Sequence, residues 1–227
     1  MRFAKILLYL IIILGSCLPA RRICAQTPAN ESRPVAVVTI EPQCPVEPPR
    51  PAKQGERSAT VPVRVRYNPA APGAKLTAAE SLTISLAINA SYYANSNRTF
   101  AMSRTADGAW ETTIPLEVFW SFLIFFVRDQ NDRVDSNQGN YWQVLSCGAD
   151  GAPTSRATYH LAASYAGDVL APGIQRAVDY PRAISILQED IKRHPDRIGF
   201  TSEVWRYQIR QAGESDAAYA RLAGEIE

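Results

Sequence analysis

Histidine is nearly missing from this chain: His160 and His194 are the only two in 227 residues. The four cysteines contain no Cys-x-x-Cys pair, so the common zinc sites built from Cys and His have no raw material. A Gly-x-Ser-x-Gly elbow, a His-Glu-x-x-His helix and a phosphate-binding glycine loop are also lacking, which removes the most recognisable hydrolase, metalloprotease and nucleotide-binding classes. We therefore expect no catalytic residue, no metal and no cofactor. An excess of one charge is lacking too. The 24 basic and 22 acidic residues are interspersed and leave a formal +2, with no basic stripe of the kind that nucleic-acid binders carry.

A membrane-length apolar run is absent as well, since Ile6 to Gly15 falls far short of the roughly 20 residues a spanning helix needs. Preceded by Arg2 and Lys5 and followed by small residues, that run has the plan of an export signal over residues 1–25. Two processing sites compete. Cleavage after Ala25, in "ICAQ", leaves Cys44 and Cys147, an even pair suited to one disulfide in an oxidising compartment. "LGSC" instead resembles the lipobox of bacterial lipoproteins, which would lipidate Cys17 and strand Cys24. Cysteine parity favours a secreted or periplasmic protein; the alternative is a lipoprotein anchored to the membrane through Cys17. Residues 26–34 read as a polar tether, and the proline-dense stretch from Glu41 to Lys53 suits neither a helix nor a central strand.

From there the hydrophobic period is two. "VPVRVRY" sets Val61, Val63, Val65 and Tyr67 on one face against Arg64 and Arg66, and "LTISLAI" does the same with Leu82, Ile84, Leu86 and Ile88. With "VAVVTI", "RTFAMS", "WETTIPL", "SFLIFFV" and "YWQVLSC" these make seven short strands over residues 35–148, the scale of an immunoglobulin-like sandwich. Phe122 to Val127 is apolar on both faces and suits a strand covered on two sides. The predicted disulfide, Cys44 to Cys147, would staple the proline-rich connector to the last strand.

The period then changes. Ala157, Leu161 and Tyr165 recur at helical spacing. A second helix follows Asp179, with Ile184, Leu187 and Ile191 as its stripe, and "HP" at His194 and Pro195 ends it. A third, about 202–212, is expected to bury Val204, Trp205 and Ile209; a fourth starts near Ser215 with Ala218, Leu222 and Ile226 inward. The expected architecture is thus mainly β plus α, with a seven-stranded sandwich at 35–148 and a small antiparallel helical tail at 152–227. "DYPRAISILQEDIKRHPDR" is similar to a tetratricopeptide-type helix, although three units of such a repeat do not fit here.

One polar stretch, "RDQNDRVDSNQGNYW" from 128 to 142, invites a ligand. Asp129, Asn131 and Asp135 alternate like calcium ligands, but an EF-hand loop counted from Asp129 fails at its sixth and twelfth positions, Val134 and Asn140. Read with its flanks, "DGAW", "ETTIPL" and "FLIFFV", the stretch resembles the C-terminal half of starch-binding carbohydrate-binding modules, which are immunoglobulin-like sandwiches. The likeness spans about residues 60–147. It implies binding of an α-glucan or other polysaccharide by Tyr92, Tyr93, Asp135, Asn137 and Trp142. In such sites aromatic rings pack on the apolar face of a sugar, while carboxylate and amide groups meet its hydroxyls. Val134 stands where the family has an aromatic and Ser136 where it has an Asn, so part of the platform is missing. Two functions are therefore expected, both non-catalytic. One is glycan binding by the sheet module; the other is a scaffold whose sheet module presents the helical tail to a protein partner.

Overall fold

The computed structural model describes residues 36–49, 59–89, 97–168, 173–195 and 198–224. The expected export signal, the tether, and Tyr92 and Tyr93 lie outside the described residues. Among the described residues eight strands come first: β1 (Val38–Glu41), β2 (Thr60–Tyr67), β3 (Leu82–Ile88), β4 (Asn97–Arg104), β5 (Trp110–Glu117), β6 (Phe122–Asp129), β7 (Val134–Asp135) and β8 (Trp142–Leu145). Four helices follow: α1 (Ser155–Tyr165), α2 (Tyr180–Arg193), α3 (Ile198–Gln211) and α4 (Asp216–Ala223). The seven expected strands are present. The eighth, β7, forms where the polar stretch folds back on β6.

All the strands pair antiparallel along one curled path, β1-β2-β5-β4-β3-β6-β7, while β8 takes the other half of the β6 edge that β7 occupies. The curl has a seam. β4 meets β5 only through Ser103 opposite Glu111 and Arg104 opposite Trp110, whereas it pairs with β3 over six positions from Asn97 to Met102. Strands on both sides of that seam contribute to one common core. Val63, Val65 and Tyr67 of β2 meet Ile84 and Leu86 of β3, Ile114 and Leu116 of β5, and Leu123, Phe125 and Val127 of β6. The alternation in the sequence creates this arrangement, because residues two apart share a face and Arg64 and Arg66 are turned outward.

Strand β6 is covered on both sides, which is why its sequence does not alternate. Phe122, Ile124 and Phe126 face away from the inner core and pack with Ala87, Tyr141, Ile174 and Leu161 of α1. Burial of each such side chain contributes roughly 1.5–3 kcal/mol relative to exposure. Helix α1 thereby docks on the outer face of the sheet. All the described residues fall in one compact unit. Arg176 fastens the junction: its guanidinium donates to Ser164 Oγ at 2.6 Å and to Gln143 Oε1 at 3.1 Å and lies over the Tyr165 ring.

Cys44 and Cys147 form the expected disulfide, with Cα atoms 5.5 Å apart. The proline-rich connector is aligned for it by backbone bonds, Cys147 N–H to Pro45 O at 2.8 Å and Glu47 N–H to Cys147 O at 3.1 Å. A disulfide persists in oxidising compartments, in accord with export. Among the described residues no helix is long and apolar enough to cross a membrane.

Thr154 caps α1 by accepting from the Ala157 N–H, and Asp179 caps α2 by accepting from the Arg182 N–H, with Pro181 tolerated in the first turn. The expectation for α3 needs correction. Val204 is buried, but Trp205 and Ile209 are only half-buried; Tyr207, at 0% exposure, takes the inward position instead. Helix α3 meets α1 and α2 through Phe200, Val204 and Tyr207, spaced four and three residues apart, which rotates Trp205 and Ile209 onto the neighbouring face.

Candidate functional site

The polar stretch is built around a carboxylate that points inward. Asp135 is 2% exposed. Its Oδ2 accepts from the Tyr67 hydroxyl at 2.9 Å and from the Lys75 N–H at 3.0 Å, and its Oδ1 accepts from the Asn137 N–H at 3.2 Å. Tyr67 Oη in turn accepts from the Leu76 N–H at 3.0 Å. Burial and the neighbouring Asp135 together push the Tyr67 phenol far above its ordinary value, so it stays a donor. The group is a clamp between the β2–β3 connection and the β6–β8 connection. It offers no free oxygen to a sugar.

Asp129 is similarly engaged. Its carboxylate accepts from the Asn131 and Arg133 N–H groups, both at 2.9 Å, and from the Arg133 guanidinium at 2.6 Å. Burial opposes its ionisation, but the Arg133 guanidinium and these backbone donors outweigh that and hold it below the usual carboxylate range. Asp132 pairs with Arg128 at 3.2 Å. Among the described residues no three His, Cys, Asp or Glu side chains stand together as a metal group. Each Asp of the stretch already holds a hydrogen-bond partner inside the protein.

Of the other proposed glycan contacts, Trp142 is half-buried. It stacks on Phe125 at 6.0 Å between ring centroids and meets Tyr67 edge-on at 6.4 Å, so its ring belongs to the rim of the inner core. Asn137 is exposed and adopts the left-handed region with Gln138 and Gly139, making one left-handed turn that aims Tyr141 back toward the helices. The Tyr141 hydroxyl donates to Gly173 O at 3.2 Å and accepts from the Gln175 N–H at 2.8 Å. The structure therefore brings Asp135 and Trp142 together around Tyr67 as packing, with Asn137 beside them on the surface.

An open cleft lies elsewhere, in the helical tail. It encloses about 630 Å³ between α3, α4 and the turn at Asp168, and Trp205, Ile209 and Tyr219 give it an apolar lining. Its rim is charged. Asp168 receives Arg210 at 2.8 Å, Arg206 at 3.2 Å and the Tyr207 hydroxyl at 3.3 Å, while Arg206 also holds Glu203 at 2.8 Å. Arg206 and Arg210 are held above their ordinary values. For Arg206, burial opposes this and Glu203 overcomes it; for Arg210 the bond to Asp168 dominates. The cleft stays open because α4 barely covers it: every residue of α4 whose side chain is described is exposed, Tyr219 at 52%.

Sequence reasoning did not single out Asp168, Arg206 or Arg210. The available signal was Arg206 and Arg210 one turn apart beside Trp205 and Ile209, a charged and an apolar pair sharing one side of α3. No protein-family model matches the chain, and neither a curated protein nor a solved structure is significantly similar to it.

Proposed function

We propose that this is an exported, non-catalytic binding protein in which an immunoglobulin-like sandwich serves as the scaffold and the helical tail engages a protein partner. The observation carrying this reading is the Trp205–Ile209–Tyr219 cleft. Two aromatic rings and an aliphatic side chain stand part-exposed beside an arginine pair held in place by Asp168. Aromatic and arginine side chains in a partly enclosed pocket are the composition in which binding energy concentrates at protein interfaces. The occupant that fits is a short amphipathic segment, with a bulky apolar side chain between Trp205 and Tyr219 and an acidic group toward the arginines.

Support for the sandwich is the curled path with its seam at β4–β5 and the core shared by both halves. The starch-binding reading draws on the same architecture and on the exposed Asn137 turn. It is the weaker of the two, because Asp135 spends its oxygens on Tyr67, Lys75 and Asn137.

Photo-crosslinking in the exporting cell tests the tail. A photoreactive residue at position 219 is expected to give a discrete adduct that Trp205→Ala abolishes, and one at exposed Arg104, on the sheet, is expected to give none. Equal labelling from both positions would overturn the assignment. Retardation of the chain in gels containing soluble starch, lost in Asn137→Ala, would restore the glycan reading.

A further inference from the structure

Helix α4 is the least supported element of the fold. It has eight residues, and helices shorter than about 12–15 residues are marginal in water unless an apolar face packs on a neighbour. Every residue of α4 whose side chain is described is nevertheless exposed, and Tyr219 keeps 52% of its surface. Beside it lies the Trp205 cleft of about 630 Å³. An uncovered helix and an open cleft thus share one wall, Tyr219.

Charge at the rim narrows what can enter. Arg210 is committed, with one terminal nitrogen on Asp168 Oδ1 at 2.8 Å and the other on Ala166 O at 3.2 Å. Arg206 is less so, since its side chain is 45% exposed against 26% for Arg210. Its Nε and Nη2 hold Glu203 and Asp168, while its Nη1 donates to nothing among the described residues. An arginine presents several donors in one planar fork, so the remaining nitrogen can take a carboxylate without releasing the other two.

The occupant that satisfies both the apolar lining and the rim carries an aromatic and an acidic side chain one helical turn apart. Asp216 and Tyr219 are such a pair, three residues apart on one side of α4 and both exposed. A two-fold axis between two copies lets each α4 enter the cleft of the other. One contact is then made twice, and each helix gains its cover by filling the opposite cleft. We infer that the partner of the tail is a second copy of this chain, with Tyr219 of each α4 seated against Trp205 and Ile209 of the other copy and Asp216 on the other copy's Arg206. The inference rests on the partner-binding reading of the tail and names that partner. The patch is small, so the dimer is weak, with a dissociation constant on the order of 10–100 µM.

The test is sedimentation velocity on the intact, disulfide-bonded chain, run from well below to well above that constant, where a reversible monomer–dimer equilibrium is expected. Tyr219→Ala, at an exposed position, is expected to weaken association about tenfold or more. Asp216→Arg and Arg206→Glu each set like charges against each other at both contacts, and each is expected to stay monomeric where the unsubstituted chain dimerises. Mixed in equal amounts, these two variants are complementary at both contacts. The mixture is therefore expected to recover dimers that neither forms alone, a result that loss of folding could not produce. A dimer that survives Tyr219→Ala would overturn the site, and a mixture that stays monomeric would overturn the pairing of Asp216 with Arg206. An unsubstituted chain that is monomeric at every concentration would overturn the second copy. The crosslink from position 219 then decides the partner reading separately: it stands if the adduct contains a different protein and falls if no adduct forms.

Discussion

Two carboxylates in this molecule do the same local chemistry in opposite settings. Asp135 in the sheet and Asp168 in the helical tail each accept a hydrogen bond from a tyrosine that is fully buried, Tyr67 in one case and Tyr207 in the other. The remaining partners of Asp135 are backbone N–H groups and it is sealed from water; those of Asp168 are Arg206 and Arg210, and its side chain keeps 19% of its exposure. An oxygen satisfied by backbone donors inside a core is a tie. One satisfied by part-exposed arginines at the rim of a cleft can exchange those partners for a ligand more readily, because ion pairs in contact with water contribute only about 0–1 kcal/mol. The sheet thus uses its polar groups to hold itself together, and the tail keeps its own available.

If that contrast is right, damage to the sheet should cost far more stability than damage to the tail. The largest effect is expected from Cys44→Ser with Cys147→Ser. The bridge closes a sequence separation of 103 residues, which in the loop-entropy model contributes about 4–5 kcal/mol. Chemical denaturation should show that loss; a change under about 1 kcal/mol would mean that the connector is held by its backbone bonds alone. Asp135→Ala comes next at about 3 kcal/mol, because it leaves the Tyr67 hydroxyl and the Lys75 N–H without an acceptor. Should Asp135→Ala instead unfold the chain no more easily than Asp168→Ala, the two carboxylates would be equivalent and the comparison would fail.

Much of the sheet was legible in the sequence, and the reason is local. Alternation in Val61 to Tyr67 and Leu82 to Ile88 needs only a period-two backbone and a core on one side, and the unbroken run from Phe122 needs a cover on both. The disulfide followed from parity. The role of Asp135 was not legible, because its partner Tyr67 is 68 residues away and sits in a strand where a phenol reads as one more apolar side chain. A loop rich in Asp and Asn accordingly reads as a ligand site, while its Asp side chains, Asp129, Asp132 and Asp135, close hydrogen bonds within the fold. The face of α3 was ambiguous for a related reason. Phe200, Val204 and Tyr207 make one stripe and Trp205 with Ile209 an adjacent one, and only the arrival of α1 and α2 decides which is buried.

Acid sharpens the comparison at intermediate scale. Asp129 titrates below its ordinary 3.8 in the folded state, so its pairing with Arg133 contributes stability above that pH and loses it as pH falls through the lower native value. Thermal melts from pH 6 downward should therefore lose stability most steeply in the acid limb. Arg133→Ala removes the guanidinium, returns Asp129 toward ordinary titration and flattens that limb. An unchanged slope in Arg133→Ala would show that the backbone donors, not the ion pair, hold the carboxylate.

The smallest effect on stability is expected where function is proposed. Ending the chain before Ser215 removes α4, whose described side chains are exposed and which touches the rest of the fold chiefly through α3. The loss should be below about 1 kcal/mol, or about 2–4 °C in melting temperature for a chain of this size. The same truncation removes Tyr219 and one wall of the Trp205 cleft, so a photoreactive residue at Ser202, which lines the cleft from α3, should lose its partner adduct while the sheet stays as stable as before. A large destabilisation would make α4 a structural cover. In that case the opening beside Trp205 would be a packing gap rather than a binding surface, and the tail would resemble the sheet in spending its contacts on itself.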